Sequence, residues 1–376
     1  MKTKAAVLFE TGRPAPYAQS RPLLIDDVEL SGPGQGEVLV EVMAAGLCHS
    51  DLSVIDGSRQ RPMPMIIGHE ASGIVRDVGP GVNALKTGDP VVFSYVPMCG
   101  HCLPCSEGRP ALCEEGLKAN VSGTLLSGQR HFQWHDGSPI NHHLGVSSYS
   151  QFTVAAQESL IALDSDIPLP VAALFGCAVM TGVGAVVNTA RVSPGQSVAI
   201  FGLGGVGMSA VMGARAAGAY PIIAVYLLES KLALARQFGA THVVNSATTD
   251  AVEVVRDISR GGVLFAFESV GNEKVLTQAY LATRRGGTTV TIGLPHPSKQ
   301  FTIPAVTLVT EERTIKGSYM GSAVPRRDVP RYIEMYRAGL LPVDKLLSRT
   351  IALEDINTSF DALAHGEVLR QVLVYS

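Results

Sequence analysis

Charge and aromatic rings are both scarce in this 376-residue chain: charged residues make up 17%, aromatic residues 6%, and there is one tryptophan. Thirty Lys and Arg face 33 Asp and Glu, a formal net charge of −3. A chain so nearly balanced has no bulk attraction for nucleic acid or for an anionic membrane surface, and both partner classes are excluded on that ground. An uninterrupted hydrophobic run is missing as well. The most apolar stretch, 167–187, contains Pro168, Pro170, Thr181 and three glycines, which suits a buried join better than a membrane-spanning helix. The first residues offer a five-residue apolar run, Ala5 to Phe9, before Glu10, too short for the core of a secretion signal. The expectation is a soluble, cytoplasmic protein. Internal repeats and low-complexity segments are absent too. What is plentiful is apolar bulk, 46% of residues, enough to bury large cores in two or three domains.

Cysteine is sparse, six in all, yet four fall in one segment: Cys99, Cys102, Cys105 and Cys113. Thiolates this closely spaced converge on one tetrahedral ion, and short loops make poor disulfide geometry. Four sulfurs leave no open position, so the ion predicted here is a structural zinc. The other two cysteines, Cys48 and Cys177, are far apart. With His69 they would supply two thiolates and an imidazole, leaving a fourth position open for chemistry. Spacing alone does not decide between that zinc site and ordinary buried residues.

Glycine carries a second signal. The apolar run Ser197–Phe201 leads into Gly202-Leu203-Gly204-Gly205-Val206-Gly207, then a helical stretch Met208–Ala217 and a second strand, Pro221–Val225. Strand–GxGxxG–helix–strand is the dinucleotide fingerprint: Gly202 for the tight turn, Gly204 for close approach of the pyrophosphate, Gly207 for helix–strand packing. Further alternation follows, with strands at 241–245, 262–268 and 288–293 and helices at 250–259 and 272–283, a rhythm that predicts a doubly wound parallel sheet. Before about residue 178 the pattern is instead many short alternating strands between Gly/Pro turns, which predicts an antiparallel, β-rich domain. Where a NAD-binding sheet usually presents an acid to the adenosine ribose, this chain has Tyr226, with Lys231 the one base nearby and Glu229 opposing it. NAD and NADP both stay open.

Taken together, the stretches GHEASGIVRDVGPGV, the four-cysteine segment, GVSSYSQFTVA, GCAVMTGVGA, FGLGGVGMSAVMGARAAGA and HGEVLRQVLVYS resemble the zinc-dependent alcohol dehydrogenases of the medium-chain dehydrogenase/reductase superfamily, from end to end. The resemblance implies an α/β protein: a chaperonin-10-like catalytic domain over 1–178 with a structural zinc lobe at 95–115, a Rossmann coenzyme domain over 179–322, and a return to the catalytic domain over 323–376. It implies two zinc ions, one catalytic on Cys48, His69 and Cys177 and one structural, and NAD or NADP as coenzyme. The length of the segment between Cys113 and Ser150 resembles the animal and plant type, which implies a homodimer, with a tetramer as the alternative.

By the same resemblance, Ser50 bonds the substrate oxygen, Asp51 orients His69, Glu70 approaches the metal, and His49 and Arg370 meet the coenzyme pyrophosphate. Gly202, Gly204, Gly205, Val206, Gly207, Tyr226, Lys231 and Ile292 line the coenzyme. Tyr95, Leu144 and Leu294 line the substrate, with Arg59, Lys118 and His143 as further candidates. Two departures stand out: Ser53 occupies the place of a proton-relay histidine, and Leu264 stands where relatives often carry an acid. The implied reaction is reversible hydride transfer between primary or aromatic alcohols (or their aldehydes) and NAD(P). The alternatives are a glutathione-dependent formaldehyde dehydrogenase acting on S-hydroxymethylglutathione, and a nucleotide-binding relative without catalysis.

Overall fold

The computed structural model describes residues 1–375. The chain divides into two compact units, the first formed by Met1–Cys177, Val324–Pro330 and residues from Asp344 onward, the second by Ala178–Ala323 and Arg331–Val343. Residues 331–343, expected with the returning tail, cluster with the second unit. There the Tyr332 ring is fully buried and its hydroxyl accepts a hydrogen bond from Asn188 Nδ2 at 3.2 Å.

The first unit is built from short strands, as its period-two patterning predicts. A closed barrel takes the strands Lys2–Leu8, Leu23–Leu30, Phe132–Gln133, Pro139–His142 and Met65–Ile66 in that order. A seven-stranded sheet centres on the pair Glu37–Gly46 and Glu70–Val78, which run antiparallel. Ala5, Val7, Val28, Leu30, Ile66, Phe132, Ile140 and Val154 form the barrel core. The returning tail joins this unit as the strand Arg370–Val374, whose Val372 pairs with Gly46. That pairing carries Arg370 to the end of the strand that leads into Cys48.

The second unit holds a six-stranded sheet whose pairings are all parallel. Its order is His242–Asn245, Ile222–Tyr226, Val198–Phe201, Val263–Glu268, Thr283–Thr291, Thr314–Gly317. Val198, Ala199, Ile200 and Phe201 are all buried, as a strand covered on both faces requires. The order reverses after Val198–Phe201, the switch point outside which doubly wound sheets bind their ligands. The apolar stretch 167–187 forms short broken helices whose residues from Ala178 to Val186 are all buried. Among the described residues no single helix is long and apolar enough to cross a membrane.

Candidate metal centre and coenzyme loop

Cys48 ends the loop after strand Glu37–Gly46 and caps the short helix His49–Ile55, where its carbonyl accepts the N–H groups of Asp51 and Leu52. His69 stands just before strand Glu70–Val78, and Cys177 lies at a break between two helical turns. Far apart in sequence, the three converge: their ligand atoms all lie within 4.8 Å of one another, and all three residues are buried. Cys177 Sγ is 3.4 Å from His69 Nε2. A tetrahedral zinc with usual bond lengths sets a sulfur and a nitrogen about 3.6 Å apart, so this donor set fits that ion.

The surroundings prepare the donors. Cys48 and Cys177 share a hydrogen bond that, with the Arg370 charge, holds the Cys48 thiol well below its ordinary range against the cost of burial. Burial disfavours a charged His69, but Asp51 Oδ1, 2.9 Å from its Nδ1, holds the ring's basicity well above the usual value and leaves Nε2 facing the sulfurs. Asp51 is itself tied down. Its Oδ1 accepts the Gly68 N–H at 3.2 Å and its Oδ2 the Tyr149 hydroxyl at 3.1 Å, and His143 Nδ1 lies 3.4 Å from Oδ1. Tyr149 carries no mark in sequence spacing; only the fold brings it to Asp51.

Glu70 is fully buried, and burial raises its carboxyl to about 7 against the pull of Arg370. Its two oxygens have no hydrogen-bond partner, though Arg370 Nε lies 3.6 Å away as an ion pair. Arg370 is also buried, with its guanidinium 3.9 Å from Cys48 Sγ. A buried carboxylate without hydrogen-bond donors is costly, and a cation beside it would relieve that cost. The rings of Tyr95 and His143 stand edge-on to His69, at 5.3 and 5.8 Å between centroids. Leu144 is buried beside them in sequence, while Ser50 is half-buried and His49 and Lys118 are exposed. Ser53 donates its hydroxyl to the His49 carbonyl at 2.9 Å.

The four-cysteine segment gathers as its spacing predicts. Cys99, Cys102, Cys105 and Cys113 hold their sulfurs within 4.8 Å of one another, with Cys102 and Cys113 Sγ 3.9 Å apart, against about 3.8 Å for two sulfurs on a tetrahedral zinc. Backbone N–H groups of Cys99, Cys102 and Gly116 point at the sulfurs, each at 3.3 Å, as befits thiolates.

In the second unit the glycine loop has the predicted geometry. Gly202 adopts φ +100°, and a side chain on Gly207 would stand 1.9 Å from the Gly202 carbonyl oxygen, whereas Gly204 faces open space. The helix after it starts at Gly205, three residues earlier than its apolar pattern suggests, with Gly204 at its N-cap. Its first N–H groups therefore face the loop, an arrangement suited to phosphate. Tyr226 ends the second strand half-buried, Lys231 is buried on the following helix, Ile292 is buried after strand Thr283–Thr291, and Leu294 is 51% exposed. Leu264 donates its N–H to Ser197 Oγ at 2.9 Å; nothing in the structure explains the missing acid.

Comparison with known proteins adds to this geometry. The sequence model of the alcohol dehydrogenase GroES-like domain matches residues 34–165, and that of the zinc-binding dehydrogenase domain matches residues 205–338. S-(hydroxymethyl)glutathione dehydrogenase of Paracoccus denitrificans is 36% identical, with 100% of both chains covered. The chain belongs to the zinc-dependent alcohol dehydrogenases. Solved structures agree. The alcohol dehydrogenase zinc-binding domain protein of Burkholderia ambifaria superposes with a TM-score of 0.94 at 37% identity, covering 100% of this chain and 99% of that one. Benzyl alcohol dehydrogenase of Acinetobacter calcoaceticus gives 0.93 at 33%, covering 100% of both. This alcohol dehydrogenase is therefore an oxidoreductase acting on CH–OH groups, with zinc and NAD(P) as its cofactors and with a GroES-like catalytic domain and a Rossmann-like coenzyme domain.

Proposed function

We propose that this enzyme interconverts primary and aromatic alcohols with their aldehydes, and that Cys48, His69 and Cys177 hold its catalytic zinc. The observation that carries this reading is the buried convergence of these three donors within 4.8 Å, with no fourth protein ligand in the set. Held there, zinc would supply acidification of the substrate hydroxyl, and bound NAD(P) would supply a hydride acceptor.

The chain's own residues do the rest. Asp51 fixes the His69 tautomer by accepting its Nδ1–H, and Tyr149 fixes Asp51. Ser50, on the first turn after Cys48, would accept the substrate hydroxyl's hydrogen bond and relay the leaving proton by giving up its own to water. Ser53 has its own hydroxyl committed to the His49 carbonyl, so the proton continues to solvent without a histidine there. Gly202, Gly204, Gly205, Val206 and Gly207 seat the pyrophosphate, and Tyr226, Lys231 and Ile292 contact the rest of the coenzyme. Glu70 and Arg370 balance charge at the metal. Tyr95, with its ring against His69, and Leu144 present apolar surface, which favours slender or aromatic substrates. Cys99, Cys102, Cys105 and Cys113 hold the structural zinc.

A second reading, oxidation of S-hydroxymethylglutathione, is favoured by the Paracoccus relative's 36% identity over the whole chain. Benzyl alcohol, hexanol and S-hydroxymethylglutathione, each assayed with NAD and NADP, separate the two. Turnover of benzyl alcohol at least tenfold above the adduct supports the first reading, and the reverse order overturns it. We also propose a cytoplasmic homodimer. The exposed Val306 and Val309 lie close in sequence to strand Thr314–Gly317, which ends the sheet order and has a free edge. A monomeric mass by light scattering would refute the dimer, and fractionation of cells would test the compartment.

A further inference from the structure

A NAD-binding sheet sets an acid against the adenosine ribose, and this chain has Tyr226 there, at the end of strand Ile222–Tyr226. Burial raises the Tyr226 phenol further above its usual range, so it stays neutral. The glycine loop lies directly against that strand end: Gly202 donates its N–H to the Val225 carbonyl at 3.1 Å. On the other side Tyr226 is in register with Asn245, the last residue of strand His242–Asn245, and the Tyr226 carbonyl accepts the Ser246 N–H at 2.9 Å. Three parallel strands thus end side by side, and the residues that follow them, 202–207, 226–231 and 245–250, share one end of the sheet.

These three segments hold two acids, Glu229 and Asp250, and one base, Lys231. Lys231 is 4% exposed, on the helix Glu229–Phe238. Asp250 is committed to its own helix, where its Oδ1 accepts the N–H groups of Val252 and Glu253. Glu229 is exposed, and its Oε1 accepts a hydrogen bond from Asn245 Nδ2. Asn245 is fixed in turn, since its Oδ1 accepts the Ala247 N–H at 2.9 Å. A neutral amide therefore holds this carboxylate at the end of the sheet without cancelling its charge. Leu227 and Leu228, 57% and 44% exposed, add apolar surface there that a purine ring would cover.

We propose that Glu229, held by Asn245, makes the ribose contact that the residue at 226 has lost, and that the enzyme prefers NAD to NADP. A carboxylate accepts hydrogen bonds from ribose hydroxyls. A 2′-phosphate instead brings a charge of about −1.5 to −2 toward Glu229, with the one base of these segments buried. The inference rests on the pyrophosphate seat proposed for Gly202 to Gly207, and it goes further by choosing between the two coenzymes.

Calorimetric titration of the zinc-loaded enzyme with NADH and with NADPH tests it. NADH should bind tighter by about tenfold or more. Glu229→Gln keeps the size of the side chain and removes its charge. It should weaken NADH, strengthen NADPH and cut the ratio of their dissociation constants by about tenfold. Asn245→Ala, which frees the carboxylate, should move the ratio the same way by less. The wild-type preference should also shrink with added salt, which screens an exposed charge. Gly204→Ala serves as control: it should weaken both coenzymes together and leave the ratio alone. NADPH binding as tightly as NADH to the wild type, or a ratio unmoved in Glu229→Gln, overturns the assignment to Glu229. Full affinity for both coenzymes in Gly204→Ala refutes the pyrophosphate seat instead, and the Glu229→Gln ratio then decides the ribose contact by itself.

Discussion

Two single-methyl additions in the coenzyme loop should separate packing from binding. On Gly207, a methyl would sit 1.9 Å from the Gly202 carbonyl oxygen. A carbon–oxygen contact relaxes at about 3.3 Å, so turn and helix must part by about 1.4 Å. Overpacking of that kind costs about 1–3 kcal/mol, a fall in melting temperature of about 2–10 °C for a domain this size. The displaced helix start should also weaken coenzyme. Gly204 is different: a methyl there meets nothing within 4 Å and the residue's φ is −74°, a value any residue adopts. Gly204→Ala should melt within about 1 °C of wild type, since unhindered surface changes cost little. It should still weaken NADH or NADPH by about tenfold or more, because the methyl enters space the pyrophosphate needs. Fluorescence titration of the reduced coenzyme and thermal melting, run on both variants, read the two effects apart. Wild-type coenzyme affinity in Gly204→Ala, or an unchanged melting temperature in Gly207→Ala, would refute the geometry of the loop.

Three further outcomes are expected. His142 is fully buried and its Nε2 accepts the His131 N–H at 3.2 Å, and burial first, then the His131 charge, lower its pKa from 6.5 to about 3. Unfolded chains take up that proton near 6.5 and the fold refuses it until about 3, so its stabilisation is complete above pH 6.5 and lost as pH falls, by up to about 5 kcal/mol. Urea melts from pH 7 to 4 should show a shallower pH slope in His142→Asn than in wild type; equal slopes would exclude this source. Asp51→Asn should weaken catalytic zinc about 10- to 100-fold, seen as loss of one zinc per chain on dialysis against a graded chelator, and retention of both ions at every chelator level would count against its positioning role. Cys102→Ser should release only the structural ion and lower the melting temperature; full activity with unchanged melting would show that the lobe folds without it.

The features legible in the sequence are those whose chemistry tolerates few alternatives. Four cysteines within fifteen residues constrain their own loop, and Gly202 and Gly207 occupy positions where any side chain collides with the backbone or its neighbours. Element ends were less legible. The strand expected from Thr288 begins at Thr283, because pairing resumes across a register shift opposite Val263 to Phe265, with Gly286 at φ +68° where turn composition suggests a break. The helix expected from Met208 begins at Gly205, since an N-terminal turn of glycine carries no periodic signal. The three converging donors were the hardest case: Cys48, His69 and Cys177 are joined by nothing local, and strand pairing of Gly46 with Glu70 brings the first two together while a helical break supplies the third.

Arg370 shows what such pairing adds. As a motif it points to a phosphate contact, yet the register of Val372 on Gly46 sets its guanidinium between Glu70 and Cys48. Cys48, Cys177, Glu70 and Asp51 are four acids buried at one point, and no fold sustains four such groups ionised against one arginine and one imidazole. Either some hold their protons more tightly, as burial makes Glu70 do and the hydrogen bond with Cys48 makes Cys177 do, or a divalent cation joins them. The same crowding that raises Glu70 and Cys177 favours a divalent cation at this point, and Arg370 would offset the negative charge that remains once both sulfurs are ionised.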